Sequence, residues 1–217
     1  MIRTVIFDFD GTIADTAGGI IRTMQRTLEL MGLPMKDEAS IRHTIGLPLV
    51  RSVSLIGVPD DRIDEGTRIY REQFDIIALP NIHLFNGVRE TLDILRGKGI
   101  SLAIATSRSS RSLEAILAAE GIRDRFLELG TVNGNYKPKP APDMCLYLLD
   151  RMNAKASETL VVGDTVFDLE MGRNAGCLTC GVTYGNHDRA TLLTVRPDYL
   201  VDDFREITQI AGIREND

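Results

Sequence analysis

The stretch VIFDFDGT, residues 5–12, joins a run of apolar residues to two aspartates and a Gly-Thr pair. Side chains of a β-strand alternate between its two faces, so Asp8 and Asp10 should leave the chain on the same side. Two like charges at the end of a buried strand require either a cation between them or a chemical role. The alternative is an Asx-rich turn that simply ends the strand.

Four later segments have the same form as this first strand, each a short apolar run that ends in small or polar residues. They are 101–107, 159–164, 177–183 and a weaker one at 198–203. The segments between them have helical patterns, at 87–98, 109–121, 140–152, 165–175 and 203–211. This alternation predicts an α/β fold with a Rossmann-like parallel sheet covered by helices on both faces. Ligands of such sheets bind at the carboxyl ends of the strands.

The alternation of strands and helices is interrupted once, between about residues 15 and 82. Residues 18–32 and 62–78 each have the apolar spacing of an amphipathic helix, and four prolines punctuate the segment. We therefore predict an α/β core domain formed by residues 1–14 and 83–217. Residues 15–82 would form an inserted α-helical cap domain, which would lie over the carboxyl end of the sheet and act as a lid.

Composition excludes several classes of function. The chain has 217 residues, with 25 Lys and Arg against 31 Asp and Glu, and a net charge of −6. It lacks the basic run expected of a nucleic-acid groove, so we expect no nucleic-acid partner. It also lacks an apolar run of about 18 residues, so we expect no membrane span. A strand pattern without a signal peptide begins the chain, which favours a cytoplasmic location.

The three cysteines do not form the pattern of a disulfide framework. Cys177 and Cys180 form a C-x-x-C motif, for which a redox pair or a zinc site is one interpretation. Residues three apart on a strand face opposite sides, and a second Cys/His pair is lacking. The sequence therefore favours two ordinary strand cysteines over a redox pair or a zinc site.

Polar residues gather where the predicted strands end. They are Asp8, Asp10, Thr106, Ser107, Asp164, Asp168 and, in a proline-stiffened loop, Lys137. Convergent carboxylates raise one another's pKa unless a cation neutralises them, and oxygen ligands beside a phosphate suit Mg²⁺. A carboxylate beside Mg²⁺ can attack phosphorus, while a second one moves the proton of the leaving group and of water. A lysine and a threonine hydroxyl can hold the phosphoryl oxygens.

Four of these segments, in this order, resemble the motifs of the haloacid dehalogenase-like (HAD) hydrolases. The segments are DFDGT at 8–12, Thr106 at the end of LAIAT, Lys137 in KPKPAPD, and GDTVFD at 163–168. The resemblance covers essentially the whole chain, and the helical insertion is similar to the family's small α-helical cap. The segments FNGVRETLDILRGKG and GRNAGCLTCGVTYG are similar to the phosphoglycolate-phosphatase branch.

The resemblance implies a role for each matching residue. Asp8 would be the nucleophile and a Mg²⁺ ligand, and Asp10 the general acid/base that gives its backbone carbonyl to the metal. Thr106 and Lys137 would bind the phosphoryl group, and Asp164 would be the third protein ligand. The phosphate-binding set would also include Phe9 and Ser107, through backbone amides, and Thr12, which would orient the first loop. Asp168 would support the metal directly or through water.

Structural alternatives exist for several of these residues. Asp164 could be a helix N-cap, and Asp168 a first-turn aspartate that complements the helix dipole. Thr106 could be ordinary strand-end packing. Lys137 could be a solvated loop lysine. We predict that role for its neighbour Lys139, because the K-P-x-P frame selects Lys137.

The same resemblance narrows the reaction. The dehalogenase and phosphonate-cleaving branches lack an aspartate at the position of Asp10, which implies phosphoryl chemistry here. Ile20 stands where the β-phosphoglucomutase branch carries a cap histidine, so water is the expected acceptor. We predict that Arg42, His43 or Arg51 contacts an anionic end of the substrate, which favours phosphoglycolate.

Several alternatives stay open at this point. A pyrophosphatase or nucleotidase of the same family is the first alternative, followed by a phosphoryl-transferring mutase. A non-enzymatic binding module would have lost one of the motifs, and all four are present. The expected partner is a small phosphorylated metabolite, and the expected state is a monomer or a homodimer.

Overall fold

A parallel β-sheet forms the centre of the computed structural model, which describes residues 1–213. The strands are β1 (Thr4–Phe7), β2 (Ala14–Asp15), β3 (His83–Leu84), β4 (Ser101–Ala105), β5 (Glu128–Gly130), β6 (Thr159–Gly163), β7 (Leu178–Val182) and β8 (Tyr199–Val201). Six of them pair in parallel in the order β5-β4-β1-β6-β7-β8, while β2 and β3 form a separate antiparallel pair. The central strand, β1, is therefore flanked on both sides and buried throughout.

Helices cover both faces of this sheet. In chain order, the helices of residues 1–213 are α1 (Ala17–Leu30), α2 (Glu38–Arg42), α3 (Leu49–Leu55), α4 (Ile63–Ile77), α5 (Val88–Gly97), α6 (Ser110–Ala119), α7 (Asp143–Arg151), α8 (Val166–Asn174), α9 (Arg189–Thr194) and α10 (Ile207–Ile210). The first four belong to the insertion and not to the layers on the sheet. Val5 and Phe7 of β1 belong to the core shared with α5, α6 and α10. Ile6 points to the other face and packs with α7 and α8. This arrangement confirms the predicted α/β fold.

The helical insertion enters and leaves the sheet through neighbouring strands. Strand β2 pairs antiparallel with β3, with Ala14 opposite Leu84 and Asp15 opposite His83, and α1 to α4 lie between them in the chain. The apolar faces of α1 and α4 pack against each other, through residues such as Met24 and Phe74. The two connections lie side by side at the carboxyl end of β1, which places the insertion near that edge.

Several short elements were not predicted from the sequence, among them β5 and α9. Strand β5 has three residues at the edge of the sheet, and its Glu128 and Leu129 are only partly buried, so its apolar signal is weak. Helix α9 has six residues, of which only Leu192 is buried. Short elements with one or two buried side chains carry too little periodicity to be recognised.

The cysteines lie on opposite faces of the sheet. Cys180 packs in the core around Phe7, whereas Cys177 packs with α7, where its Sγ is 3.7 Å from Sγ of Cys145. All three thiols are free and buried. Across residues 1–213, the helices are all too short or too polar to cross a bilayer.

Candidate active site

The end of β1 brings Asp8 into the middle of the sheet edge. Phe7 is in register with Ile104 of β4 and with Val162 of β6, and the Asp8 amide donates to the Val162 carbonyl over 2.8 Å. Asp8 therefore leaves the sheet between its two neighbouring strands. Its side chain is 4% exposed, so a carboxylate is held almost without solvent.

Three buried carboxylates meet at this point. Oxygens of Asp8, Asp164 and Asp168 lie within 4.8 Å of one another. Burial raises the pKa of Asp8 well above its ordinary value, and Lys139 opposes that shift. Burial, reinforced by the charge of Asp168, raises the pKa of Asp164 to about 7. The cluster is therefore electrostatically unfavourable by itself and attracts positive charge.

Lys139, and not Lys137, supplies a positive charge to this cluster. Its Nζ is 2.6 Å from Asp8 Oδ1 and 2.6 Å from Asp168 Oδ1, and its side chain is 1% exposed. Burial would lower the pKa of the lysine, but the carboxylates of Asp168 and Asp8 raise it above its ordinary value. Lys137 is exposed.

The prediction that selected Lys137 over Lys139 therefore needs correction. Both lysines precede a proline, so the K-P-K-P sequence does not distinguish them. The distinction comes from the fold. A turn closed by the Ala141 amide on the Pro138 carbonyl lies just ahead of α7, and it carries Lys139 inward.

Asp168 combines a structural task with its place in the cluster. Its Oδ2 accepts from the Thr165 amide over 3.0 Å and from the Thr165 hydroxyl over 2.6 Å, forming a capping box at the start of α8. Its other oxygen binds Lys139. The close approach requires a glycine in β6, because a Cβ on Gly163 would lie 2.2 Å from the Asp168 Cβ. The predicted first-turn aspartate is thus also the group that holds the lysine.

The donor set suits a hard divalent cation. Asp8 Oδ2 is buried and has no hydrogen-bond partner among the described residues. Such an atom is costly to bury unless something positive meets it. Carboxylate oxygens from Asp8 and Asp164 are the ligands that Mg²⁺ prefers, whereas Zn²⁺ favours nitrogen and sulfur. These residues therefore fit Mg²⁺, with the Asp10 carbonyl available beside them.

Asn186 is a residue that the sequence analysis missed. Its amide and its side-chain Nδ2 each donate to Asp164 Oδ2 over 2.8 Å, and Nδ2 also lies 3.4 Å from the Asp10 carbonyl oxygen. The Thr12 hydroxyl donates to the other oxygen, Asp164 Oδ1, over 3.0 Å. Thr12 was predicted among the phosphate-binding residues. The structure instead places its hydroxyl on a carboxylate, because its side chain is turned inward and fully buried.

Asp10 is paired with an arginine that was also missed. The Arg108 guanidinium forks the Asp10 carboxylate, with Nε 3.1 Å from Oδ2 and Nη2 in contact with Oδ1. The Arg108 side chain is 7% exposed and lies over the ring of Phe74 in α4, 4.7 Å from its centroid. Asp10 is thus held in one orientation by a residue that also touches the insertion.

The loop after β4 carries the predicted phosphate-binding residues. Thr106 is fully buried, and its Oγ1 accepts from the Arg108 amide over 3.1 Å. The Ser107 hydroxyl donates to the Gly46 carbonyl of the insertion over 2.7 Å, so its backbone amide is the group left for a ligand. Phe9 is fully buried, which agrees with a backbone role only.

A family model described as "Haloacid dehalogenase-like hydrolase" matches residues 5–182, from the strand before Asp8 to the end of β7. The chain belongs to the haloacid dehalogenase-like hydrolases. This membership confirms the predicted family and enzyme class. A solved HAD-like structure from Bacteroides fragilis superposes with a TM-score of 0.90 at 27% identity, over 95% of this chain and 100% of that one.

Relatives of this HAD chain carry phosphatase names. "Probable phosphatase IndB" of Dickeya dadantii is 39% identical over 95% of this chain and 92% of its own length. A phosphoglycolate phosphatase of Vibrio parahaemolyticus is 28% identical, over 98% and 97% of the two chains. The pyrophosphatase PpaX of Bacillus velezensis is 30% identical, over 98% of each. The protein is therefore an HAD-family hydrolase whose relatives include proteins named as phosphatases.

A cavity of about 240 Å³ opens between the HAD carboxylates and the insertion. Asp8, Asp10 and Thr106 line its floor, and residues of α1, α3, α4, α6 and the loops before α3 and α6 line most of the rest. Within the described residues, the lining includes none of Arg42, His43 and Arg51. The cavity reaches Asp8, so a substrate bound in it can reach the candidate nucleophile.

The prediction that Arg42, His43 or Arg51 contacts the substrate is therefore not supported by their positions. Arg42 Nη1 lies 3.5 Å from Asn186 Oδ1, beside the carboxylate cluster rather than in the cavity. His43 and Arg51 are exposed. These residues lie on α2, just after it, or on α3, and the packing of the insertion turns other side chains toward Asp8.

The contacts of Asn186 lead to a specific expectation for Asn186→Ala. Losing the donors that orient Asp164 should raise the Mg²⁺ concentration for half-maximal activity about 10- to 100-fold, because such supporting hydrogen bonds tune metal affinity. Saturating Mg²⁺ should restore most of the rate. Magnesium titrations of phosphatase activity measure this, with the exposed Asn135→Ala as matched control. An unchanged titration for Asn186→Ala would rule out this supporting role.

Proposed function

We propose that the protein is a Mg²⁺-dependent phosphatase that hydrolyses a small phosphate monoester through an aspartyl-phosphate on Asp8. The observation that carries this proposal is the buried, unpartnered Oδ2 of Asp8, in a carboxylate cluster at the floor of a cavity. Its other oxygen is held by Lys139, so the carboxylate is oriented while one oxygen stays available. Membership of the HAD family supports the same chemistry.

The proposed metal would be held by the carboxylates of Asp8 and Asp164 and by the Asp10 carbonyl. When bound, Mg²⁺ neutralises charge on the phosphoryl oxygens and on the cluster. The chain's own residues then position the ester. The Thr106 side chain and the Ser107 amide face phosphoryl oxygens, and the Lys139 ammonium keeps Asp8 ionised and oriented.

The reaction then proceeds in two displacements. Asp8 attacks phosphorus, the P–O bond to the leaving group breaks, and protonated Asp10 gives its proton to the departing alkoxide. Water next attacks the phosphorus of the aspartyl-phosphate and gives a proton to Asp10. That step releases inorganic phosphate and regenerates the Asp8 carboxylate. Arg108, which grips Asp10, sets the direction of the proton-transferring carboxylate.

Water as the acceptor is favoured over a second substrate hydroxyl. Ile20 lines the cavity where the mutase branch of the family would need a histidine. All four motifs of the family are present, which disfavours a non-enzymatic binding module. The predicted cytoplasmic location, and a monomer or homodimer, belong to the same proposal.

The relatives suggest two first candidates for the substrate. They are phosphoglycolate and, as the alternative, pyrophosphate, since relatives of the chain carry those names. A nucleotide is the third candidate. Hydrolysis of each of these three substrates releases a leaving group that is charged or polar.

Removing the metal tests the proposed function. Treatment with EDTA should lower the hydrolysis of an aryl phosphate at least about 100-fold, because the carboxylate cluster would repel the phosphate. Excess Mg²⁺ should restore the rate, whereas Ca²⁺, which is larger and accepts looser geometry, should not. Release of inorganic phosphate measures both. Full activity in EDTA would contradict the metal dependence.

A further inference from the structure

The walls of the cavity above the carboxylates are mostly hydrocarbon. Ile20 and Met24 of α1, Ile45 and Leu47 of the loop before α3, and Phe74 of α4 all line it. Four of these five side chains are buried in the structure, and Leu47 is half-buried. Small-molecule sites of this kind bind ligands that replace water against the apolar wall. The part of a substrate that lies beyond the phosphoryl group therefore meets apolar surface.

An aromatic pair on α4 connects this apolar wall to the loop after β4, which carries Arg108. The rings of Tyr70 and Phe74 have centroids 5.8 Å apart, and both residues line the cavity. The Arg108 guanidinium lies over the Phe74 ring and also donates a hydrogen bond to Asp10. Burial raises the pKa of the Tyr70 phenol above its ordinary value, as expected where little water is present. Flat or flexible hydrocarbon would fit beside these rings.

The positive charges of the cavity are largely matched already. Arg108 is forked on Asp10, and Arg111 Nη2 lies 3.3 Å from Asp75 Oδ2. A carboxylate or a second phosphate on the substrate would reach Arg108 only by displacing Asp10, whereas Arg111 is 90% exposed and its charge is screened by solvent. Arg71 also lines the cavity but is exposed, so solvent screens its charge. A second anionic group therefore gains little here and loses its hydration.

The size of the cavity agrees with a small apolar leaving group. Its volume is about 240 Å³. An apolar cavity of about 150 Å³ holds one benzene molecule, so a phosphoryl group and a ring or short chain fit together. We infer that this phosphatase prefers monoesters with an apolar alkyl or aryl leaving group over phosphoglycolate and pyrophosphate. The inference rests on the proposed function, since it names the substrate class of the same site.

A series of esters tests the inference on the wild-type enzyme. With Mg²⁺ present, kcat/KM should rise about fourfold for each methylene from methyl to butyl phosphate, until the cavity is full. Butyl and phenyl phosphate should exceed phosphoglycolate and pyrophosphate by at least about tenfold. Release of inorganic phosphate, corrected for two phosphates per pyrophosphate, gives all the rates. A preference for phosphoglycolate or pyrophosphate, or a flat alkyl series, overturns the inference.

A charge placed on the wall should reverse the preference. Leu47→Arg puts an unpaired cation where the leaving group would lie, so the ratio of butyl phosphate to phosphoglycolate should fall at least about tenfold. Val50→Arg is the matched control, because Val50 is 54% exposed on α3 and does not line the cavity. Its ratio should stay within about twofold of wild type. Equal ratios in both variants would contradict the proposed position of the leaving group.

Binding of phosphonates separates this inference from the proposed function. Butylphosphonate cannot be hydrolysed, and calorimetry in Mg²⁺ should show it binding at least about tenfold tighter than phosphonoacetate. If it binds so while every ester is left intact, the proposed function fails and the apolar preference stands. If esters are hydrolysed but phosphonoacetate binds tighter, the proposed function stands and the apolar preference fails.

Discussion

Asp8→Asn should lower the rate of phosphate ester hydrolysis by at least about 10⁴-fold, since an amide oxygen cannot form the aspartyl-phosphate. Asparagine keeps the shape of aspartate, so its Oδ1 can still accept from Lys139 at the floor of the cavity. The loss should appear in kcat for every ester, because the nucleophile is common to all. Steady-state phosphate release measures it.

The stability of Asp8→Asn is its internal control. The variant removes one carboxylate from a cluster in which burial raises the pKa of Asp8, so its ionised form weakens the fold near neutral pH. Lys139 retains Asp168 as a partner. In EDTA, the melting temperature should therefore equal or exceed that of the wild type. A folded variant that keeps more than about a hundredth of the wild-type kcat would exclude Asp8 as the nucleophile.

The sequence alone was sufficient to predict the site residues that lie at the ends of strands. Asp8, Thr106 and Asp164 each directly follow the last residue of a strand, and the parallel sheet brings those ends to one edge. Apolar runs with period-two alternation are enough to predict where these strands end and which residues follow them. The central pairing of β1 with β4 and β6 then fixes the distances.

Loop residues were the ones that the sequence did not distinguish. Asn186 has no neighbouring motif, and its contacts to Asp164 depend on how the chain turns after β7. Arg108 stands in a segment with a second arginine, Arg111, and only the fold pairs the first with Asp10. A polar residue near a strand end is the available signal, but many such residues are ordinary surface groups.

The side chains of the insertion that face the active site were even harder to predict from the sequence. The two long helices of the insertion were predicted from their spacing, and they are α1 and α4. The side chains that face the active site depend on how these helices dock, which long-range contacts decide. The three basic residues predicted to contact the substrate were therefore a poor guide, and the insertion turns Met24, Leu47 and Phe74 into the cavity instead.

Lys139→Ala should lower kcat about 10³-fold and the free energy of unfolding by about 3–5 kcal/mol. Removing the ammonium leaves Asp8 and Asp168 as buried, uncompensated charges, which is the costly way to break a buried ion pair. Asp8 would also lose the hydrogen bond that orients it. Urea denaturation in EDTA measures the stability, and phosphate release in saturating Mg²⁺ measures the rate.

Lys137→Ala is the matched control, since it removes the same side chain two residues away in the same proline-rich loop. Lys137 is exposed, so its loss should change kcat less than about twofold and stability by less than about 0.5 kcal/mol. The pair of variants thus tests the prediction from the sequence, which selected Lys137, against the contacts in the structure, which favour Lys139. A large loss in Lys137→Ala with a mild effect in Lys139→Ala would restore the prediction from the sequence. Equal losses in both variants would indicate that the loop acts as a whole and that neither ammonium binds the cluster specifically.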